Sequence, residues 1–181
     1  MLDSLEAVHG AVTKGRRGRQ RVTSHYNLTM LVALAAEFQG FARDLHDECA
    51  IALVDSLTPG NDDQITVLLP ALTNNRKLDT GNANPSVLGS DFLRFGMSIW
   101  DELEFTFPSR KADWNLRLET LNKVRNAVAH SNEDKLADLK REHLLTLAVF
   151  RKWRREVTRC VAGMDRVCEA YLRNLTGVSP W

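Results

Sequence analysis

Two stretches of the chain repeat apolar residues at steps of three and four over many turns, and no other feature constrains the fold as strongly. From about Tyr26 to Leu57 the repeat runs Leu31, Leu34, Phe38, Phe41, Leu45, Cys49, Ala52 and Leu53. From about Glu142 to Asn174 it runs Leu147, Phe150, Trp153, Val157, Val161, Met164, Cys168 and Tyr171. Such spacing gathers apolar side chains into one stripe along an α-helix. A stripe of that length is costly in water, so each helix must cover the other or cover a partner. The expected fold is therefore all-α, a helical bundle with a long antiparallel helix pair plus shorter helices. Pro59-Gly60 closes the first long helix, and Gly177 releases the second ahead of Pro180.

Shorter helices are expected between the two. Asn61 to about Leu72 has helical patterning that Pro70 kinks or ends. Ser90-Asp91 can cap a helix in which Phe92, Phe95, Ile99 and Leu103 share a face, stopping before Pro108. Trp114, Leu118, Leu121, Val124 and Val128 form a clean stripe from about Asp113 to Ser131. Asn132 caps the next short helix, with Glu133 and Asp134 in the first turn, where the helix dipole favours negative charge. A short N-terminal helix precedes them all. No period-two run is long enough for a strand, and there is no internal repeat. Two segments stand outside the pattern. Lys14 to Arg21 is a basic, glycine-containing loop, and Thr73 to Gly89 is long, rich in Asn and Gly, and carries Pro85. The second segment is open to three readings: a functional loop, disorder or a further short helix.

At 181 residues, 44% hydrophobic and 26% charged, the chain fits one folded domain, its bundle core spanning about 25–175. A formal charge of +1 supplies no global attraction for nucleic acid, so any such case rests on local clusters. Asp3 and Glu6 stand where a signal peptide needs basic residues. The most apolar stretch, Leu28 to Ala36, is far short of the ~20 residues of a membrane helix. Cys49, Cys160 and Cys168 form no CxxC, and an odd number is a poor disulfide framework. Cys160 and Cys168 fall in apolar register, which reads as buried reduced thiols and a cytoplasmic protein. No zinc-ligand spacing and no phosphate-binding glycine loop is present, so no metal or nucleotide cofactor is expected.

Candidate chemistry is concentrated between Leu121 and His130. On an ideal helix Asn122, Asn126 and His130 share a polar face, while Arg125 projects at the edge of the apolar stripe near Leu118 and Leu121. A charge at that edge must be paired or border a groove, and Glu37, Asp44 and Glu48 on the first long helix are candidate partners. Arg125 and His130 lie about 140° apart on a regular helix. They converge only if the helix opens near Ala129 or if two copies of the motif meet across a dimer. Arg16, Arg17, Arg19 and Arg21, and the helical row Arg151, Lys152, Arg154, Arg155 and Arg159, are candidate contacts for a nucleic-acid backbone. Trp153 falls in the apolar stripe and reads as core or dimer interface. His9, His25, His46 and His143 show no partner pattern and read as surface residues.

The run Val124 to His130 resembles the RxxxxH signature of the HEPN superfamily, whose members often carry Asn directly after the Arg, as Asn126 does here. Glu37, Phe38, Phe41 and Leu45 on an earlier long helix fit the same layout, which is similar to the stand-alone RiboL-PSP-type HEPN toxins over roughly residues 25 to 175. The resemblance implies a metal-independent endoribonuclease working as a homodimer, with Arg125, Asn126 and His130 catalytic and no cofactor. It also implies a toxin–antitoxin or phage-defence setting, with a cognate antitoxin as partner. Asn132 stands where HEPN toxins controlled by nucleotidylation carry a tyrosine, so that form of control is not expected. The alternative is a non-catalytic HEPN-type module that binds RNA or protein as a dimer.

Overall fold

A computed structural model of the chain describes residues 1–13, 21–58, 60–142 and 144–181. Within them the regular structure is helical, with no strand: α1 (Leu2–Thr13), α2 (Arg21–Leu57), α3 (Asp62–Thr73), α4 (Lys77–Thr80), α5 (Pro85–Phe92), α6 (Ile99–Thr106), α7 (Lys111–Ala129), α8 (Glu133–Arg141) and α9 (Leu147–Thr176). Arg16, Arg17 and Arg19 of the basic loop, and His143, lie outside the described residues. None of the helices is long and apolar enough to cross a membrane among the described residues.

The two long stripes pack on each other as their periodicity requires. Leu31, Leu34, Phe38, Leu45 and Cys49 of α2 are buried, as are Phe150, Trp153, Val157, Met164 and Cys168 of α9. Trp153 is thus intramolecular core. The pair is parallel, however, not antiparallel. At one end the Asn27 side chain donates to the Leu145 carbonyl at 3.3 Å. Further along, the Cys49 and Cys168 thiols share a hydrogen bond. At the other end Ala52 and Ser56 line a groove with Leu172 and Thr176. A stripe specifies which face of a helix is covered but not the direction of its neighbour; a short connection imposes antiparallel pairing. Here α3 to α8 intervene, and they carry the chain back to the starting end before α9 begins.

α1 runs against both long helices, with Asp3 paired to Arg154 at 2.7 Å and Glu6 to Arg151. α7 packs on α2 and α9 through Trp114, Leu118, Leu121, Val124 and Ala127, all buried. Gly163 makes the approach to α9 possible. A Cβ at that position would lie 3.0 Å from the Trp114 ring.

Two helix boundaries depart from expectation. α3 starts where Asn61 accepts from the Gln64 N–H at 3.0 Å, but it continues through Pro70 to Thr73. Proline deprives only the carbonyl four residues back, here that of Thr66, and Thr66 is exposed, so water can serve it. Ser90-Asp91 does not begin a helix. Asn84 caps α5 by accepting from the Val87 N–H at 2.9 Å, with Pro85 in the first turn. Phe92, Phe95, Ile99 and Leu103 are all buried, but a 3₁₀ turn and Gly96, at φ +77°, divide them between two elements. The 73–89 segment is ordered and contains α4.

Candidate functional site

Burial of α7 along its apolar side sets the azimuth of every residue in the motif. Arg125 emerges half-buried toward α2, and Asn126 and His130 are exposed. None of Glu37, Asp44 and Glu48 pairs with Arg125. Its Nη1 donates instead to Oε1 of Gln39 at 2.7 Å. The three acids point elsewhere because the stripe of α2 turns them outward: Glu37, Asp44 and Glu48 are exposed, whereas Gln39 is 7% exposed and faces α7. Among the described residues no carboxylate lies within ion-pair distance of Arg125. Its charge is held in place without being neutralised.

α7 stops at Ala129, two residues earlier than its stripe suggested. His130 is the capping residue, at φ −101° and ψ 10°. The Ser131 N–H bonds to the Val128 carbonyl at 3.0 Å, and the Asn132 N–H to that of Ala127 at 2.8 Å. This pair of hydrogen bonds, with Ser131 at φ 48°, is a left-handed helix stop of the kind usually built on glycine or asparagine. Asn132 then caps α8 by accepting from the Lys135 N–H at 3.0 Å. His130 therefore sits at a sharp reversal, outside helical geometry, and its ring has no hydrogen-bond partner among the described residues.

The wall facing the motif is the 76–84 segment, whose contribution the sequence reading left open. Asn122 donates to the Ala83 carbonyl at 3.2 Å, and the Asn82 side chain donates to that of Asn126. Gln39 Nε2 donates to the carbonyls of Leu78 and Gly81, at 3.2 and 2.8 Å. The segment is clamped to α2 by Arg76, which meets Asp47 at 2.7 Å, Asp79 at 3.1 Å and Nδ1 of His46 at 3.1 Å. Asp91 accepts from the N–H groups of Lys77 and Leu78, at 3.1 and 2.7 Å, and so caps α4 from outside it.

His46 is fully buried, and His9 is also buried, against their reading as surface residues; His25 is exposed. His46 Nδ1 receives a hydrogen from Arg76, so its Nε2 carries the proton and donates to the Asp91 carbonyl at 3.1 Å. Burial, with the Arg76 charge beside it, outweighs the nearby carboxylates and lowers the pKa of His46 below its ordinary 6.5. All three cysteines are free and buried, and burial pushes the Cys160 thiol up to about 12. A thiol this far from ionisation at neutral pH is a packing group, not a nucleophile.

The arginine row of α9 is partly neutralised. Arg151 and Arg154 are engaged by Glu6 and Asp3 of α1, and Arg159 by Glu156 at 2.6 Å. Arg155 is exposed, has no ion pair among the described residues, and borders a cleft of about 420 Å³ with Glu6, Arg151, Arg154, Thr158 and Arg159. No hydrogen bond or ion pair among the described residues joins this row to the motif.

Gln39 and Arg76 were not singled out from sequence, although a signal existed. Gln39, Arg43, His46 and Asp47 follow helical spacing along the edge of the α2 stripe, a polar line that calls for a polar partner. Compared with known protein families, curated proteins and solved structures, the chain matches none of them.

Proposed function

We propose that the chain is a metal-independent endoribonuclease whose site is built from Arg125, Asn126 and His130, as the HEPN resemblance implies. The observation that carries this reading is the pairing of Arg125 with a neutral amide. A half-buried guanidinium that is held but not neutralised is suited to receive an anion, and an exposed histidine stands five residues further on, at the end of α7. RNA supplies its own nucleophile, so the protein must only transfer protons and stabilise charge on phosphorus. The 2′-oxygen bonds to phosphorus as the bond to the 5′-oxygen breaks. One His130 accepts the proton of the 2′-hydroxyl, and an acid returns a proton to the departing 5′-oxygen. Arg125 stabilises the charge developing on the phosphoryl oxygens. Asn126 orients the phosphate or the histidine.

We assign the second proton carrier to a second copy of the chain. A homodimer with its two-fold axis near the α7 reversal would place two motifs in one cleft. Arg155 and Lys152, with Arg151 and Arg154 where α1 leaves them free, would hold the RNA backbone alongside. A toxin of a toxin–antitoxin or phage-defence system, with an antitoxin as partner, is the setting that agrees with the resemblance.

The purified protein should cleave single-stranded RNA in EDTA, leaving 2′,3′-cyclic phosphate and 5′-hydroxyl ends. A 2′-O-methyl group at the scissile position should block cleavage. His130→Ala should slow the reaction by about 10²–10⁴-fold, the usual worth of general acid–base catalysis. Because His130 is exposed, its loss should leave folding intact. Cleavage by His130→Ala at the parent rate would remove the nuclease assignment and leave a binding module.

A further inference from the structure

A buried carboxamide has two hydrogens to place and an oxygen to satisfy, and at Gln39 all three are committed. Both Nε2 contacts are backbone carbonyls, Leu78 at 3.2 Å and Gly81 at 2.8 Å, and Oε1 receives Arg125 Nη1 at 2.7 Å. The amide cannot be reversed. Turned over, its oxygen would face two carbonyl oxygens, and its NH₂ group would face a guanidinium that has only hydrogens to offer. The 78–81 backbone thereby dictates that an oxygen, and a neutral one, is presented to Arg125.

We propose that Gln39 is a positioning residue for Arg125, fixing the guanidinium through one donor while leaving its charge and remaining N–H groups for a phosphate. The proposal rests on the nuclease reading for its consequence in catalysis, but the positioning itself does not. A glutamate at position 39 would have no hydrogens for the Leu78 and Gly81 carbonyls. It would also set a negative charge against the guanidinium, neutralising it and repelling a phosphate from the same place.

The test is a double-mutant cycle read in two independent ways. Gln39→Glu should lower single-turnover cleavage of an RNA oligonucleotide by about 10–100-fold, the scale on which a small misplacement of a catalytic group slows a reaction. In an Arg125→Ala background the same change should have no further effect. In parallel, the ¹⁵N resonance of Arg125 Nε is followed during titration with inorganic phosphate. It should shift in the parent and lose that response in Gln39→Glu. If Gln39→Glu does not fold, Gln39→Met, of similar length and without the amide, carries the same measurements. Retention of both the cleavage rate and the phosphate response, or effects additive with Arg125→Ala, would overturn the proposal. A parent that binds phosphate at Arg125 without cutting RNA would remove the nuclease reading and leave the positioning intact. A parent whose Arg125 ignores phosphate would overturn the positioning even if RNA is cut.

Discussion

Arg76 and Arg125 approach the same side of α2, one from the connection after α3 and the other from α7, and the molecule treats them in opposite ways. Arg76 is 7% exposed and meets two carboxylates, Asp47 and Asp79, as well as the neutral ring of His46. Arg125 is half-buried and meets one carboxamide. The difference follows from solvation. A guanidinium taken almost wholly out of water must find opposite charge, because an unmatched buried ion is very costly. One that keeps part of its hydration can be held by a neutral acceptor. The charge of Arg76 is thus used up in holding α4 and the 76–84 wall to α2, and the charge of Arg125 remains available. The first arginine holds the wall beside the motif, and the second stands in the motif with its charge unmatched.

Removing the clamp should have the largest effect on the fold. Arg76→Ala would leave His46, Asp47 and Asp79 without their shared partner. It should cost about 3 kcal/mol, the lower end for a broken buried ion pair because Asp47 and Asp79 remain partly in water. Urea unfolding measures the loss, and hydrogen exchange should show amides 77–84 opening first. A cost below about 1 kcal/mol would erase the distinction drawn between the two arginines.

Acid should reach the same clamp more gently. His46 is neutral when folded and its pKa is lowered, so the unfolded chain takes up the extra proton. The contribution is complete above pH 6.5, the ordinary histidine value, and is lost as pH falls from there toward the depressed folded value. The slope is at most about 1.4 kcal/mol per pH unit for one proton. The groups facing His46 are Arg76, which disfavours a second cation, and the carboxylates of Asp47 and Asp91, which partly offset it. Unfolding free energy measured between pH 8 and pH 5 should therefore decline below pH 6.5, and His46→Gln should flatten that part of the profile. An unchanged slope would show that the ring is not held neutral.

The smallest effect on stability should come from Arg125. Arg125→Met loses one hydrogen bond, leaves the Gln39 oxygen without its donor and keeps most of the packing, so it should cost about 1–2 kcal/mol, less than the loss at Arg76. The same variant should lose all response to phosphate. A stability loss matching that of Arg76→Ala would mean that both arginines are structural.

The candidate site was only half legible in the sequence. Arg125, Asn126 and His130 fall within six residues of one another, and the cap at Asn132 is a local event, so each could be read in place. The α7 reversal could not be read in the same way, because Ser131 takes a backbone geometry normally left to glycine. The ion-pair partners offered for Arg125 failed for a related reason. Glu37, Asp44 and Glu48 have the right charge, but only Gln39 lies on the side of α2 that α7 covers. Charge suggested a carboxylate, and azimuth selected an amide. His46 was misjudged because its partner, Arg76, lies thirty residues away and reaches it only when α4 folds back on α2.

By itself the sequence determined the all-helical class, the long stripes of α2 and α9, the buried side of α7 and the helix ends at Asn132 and Gly177. These depend on periodicity and on side chains bonding to backbone within a turn, and both are local in the chain. Tertiary structure alone decided that α2 and α9 run parallel, that α5 and α6 divide one apolar run, and that the 76–84 segment faces the motif. It also decided which arginine would be neutralised. The physical reason is that a stripe defines a face to be covered, whereas direction and partner depend on where the rest of the chain can place its own polar groups once that face is closed.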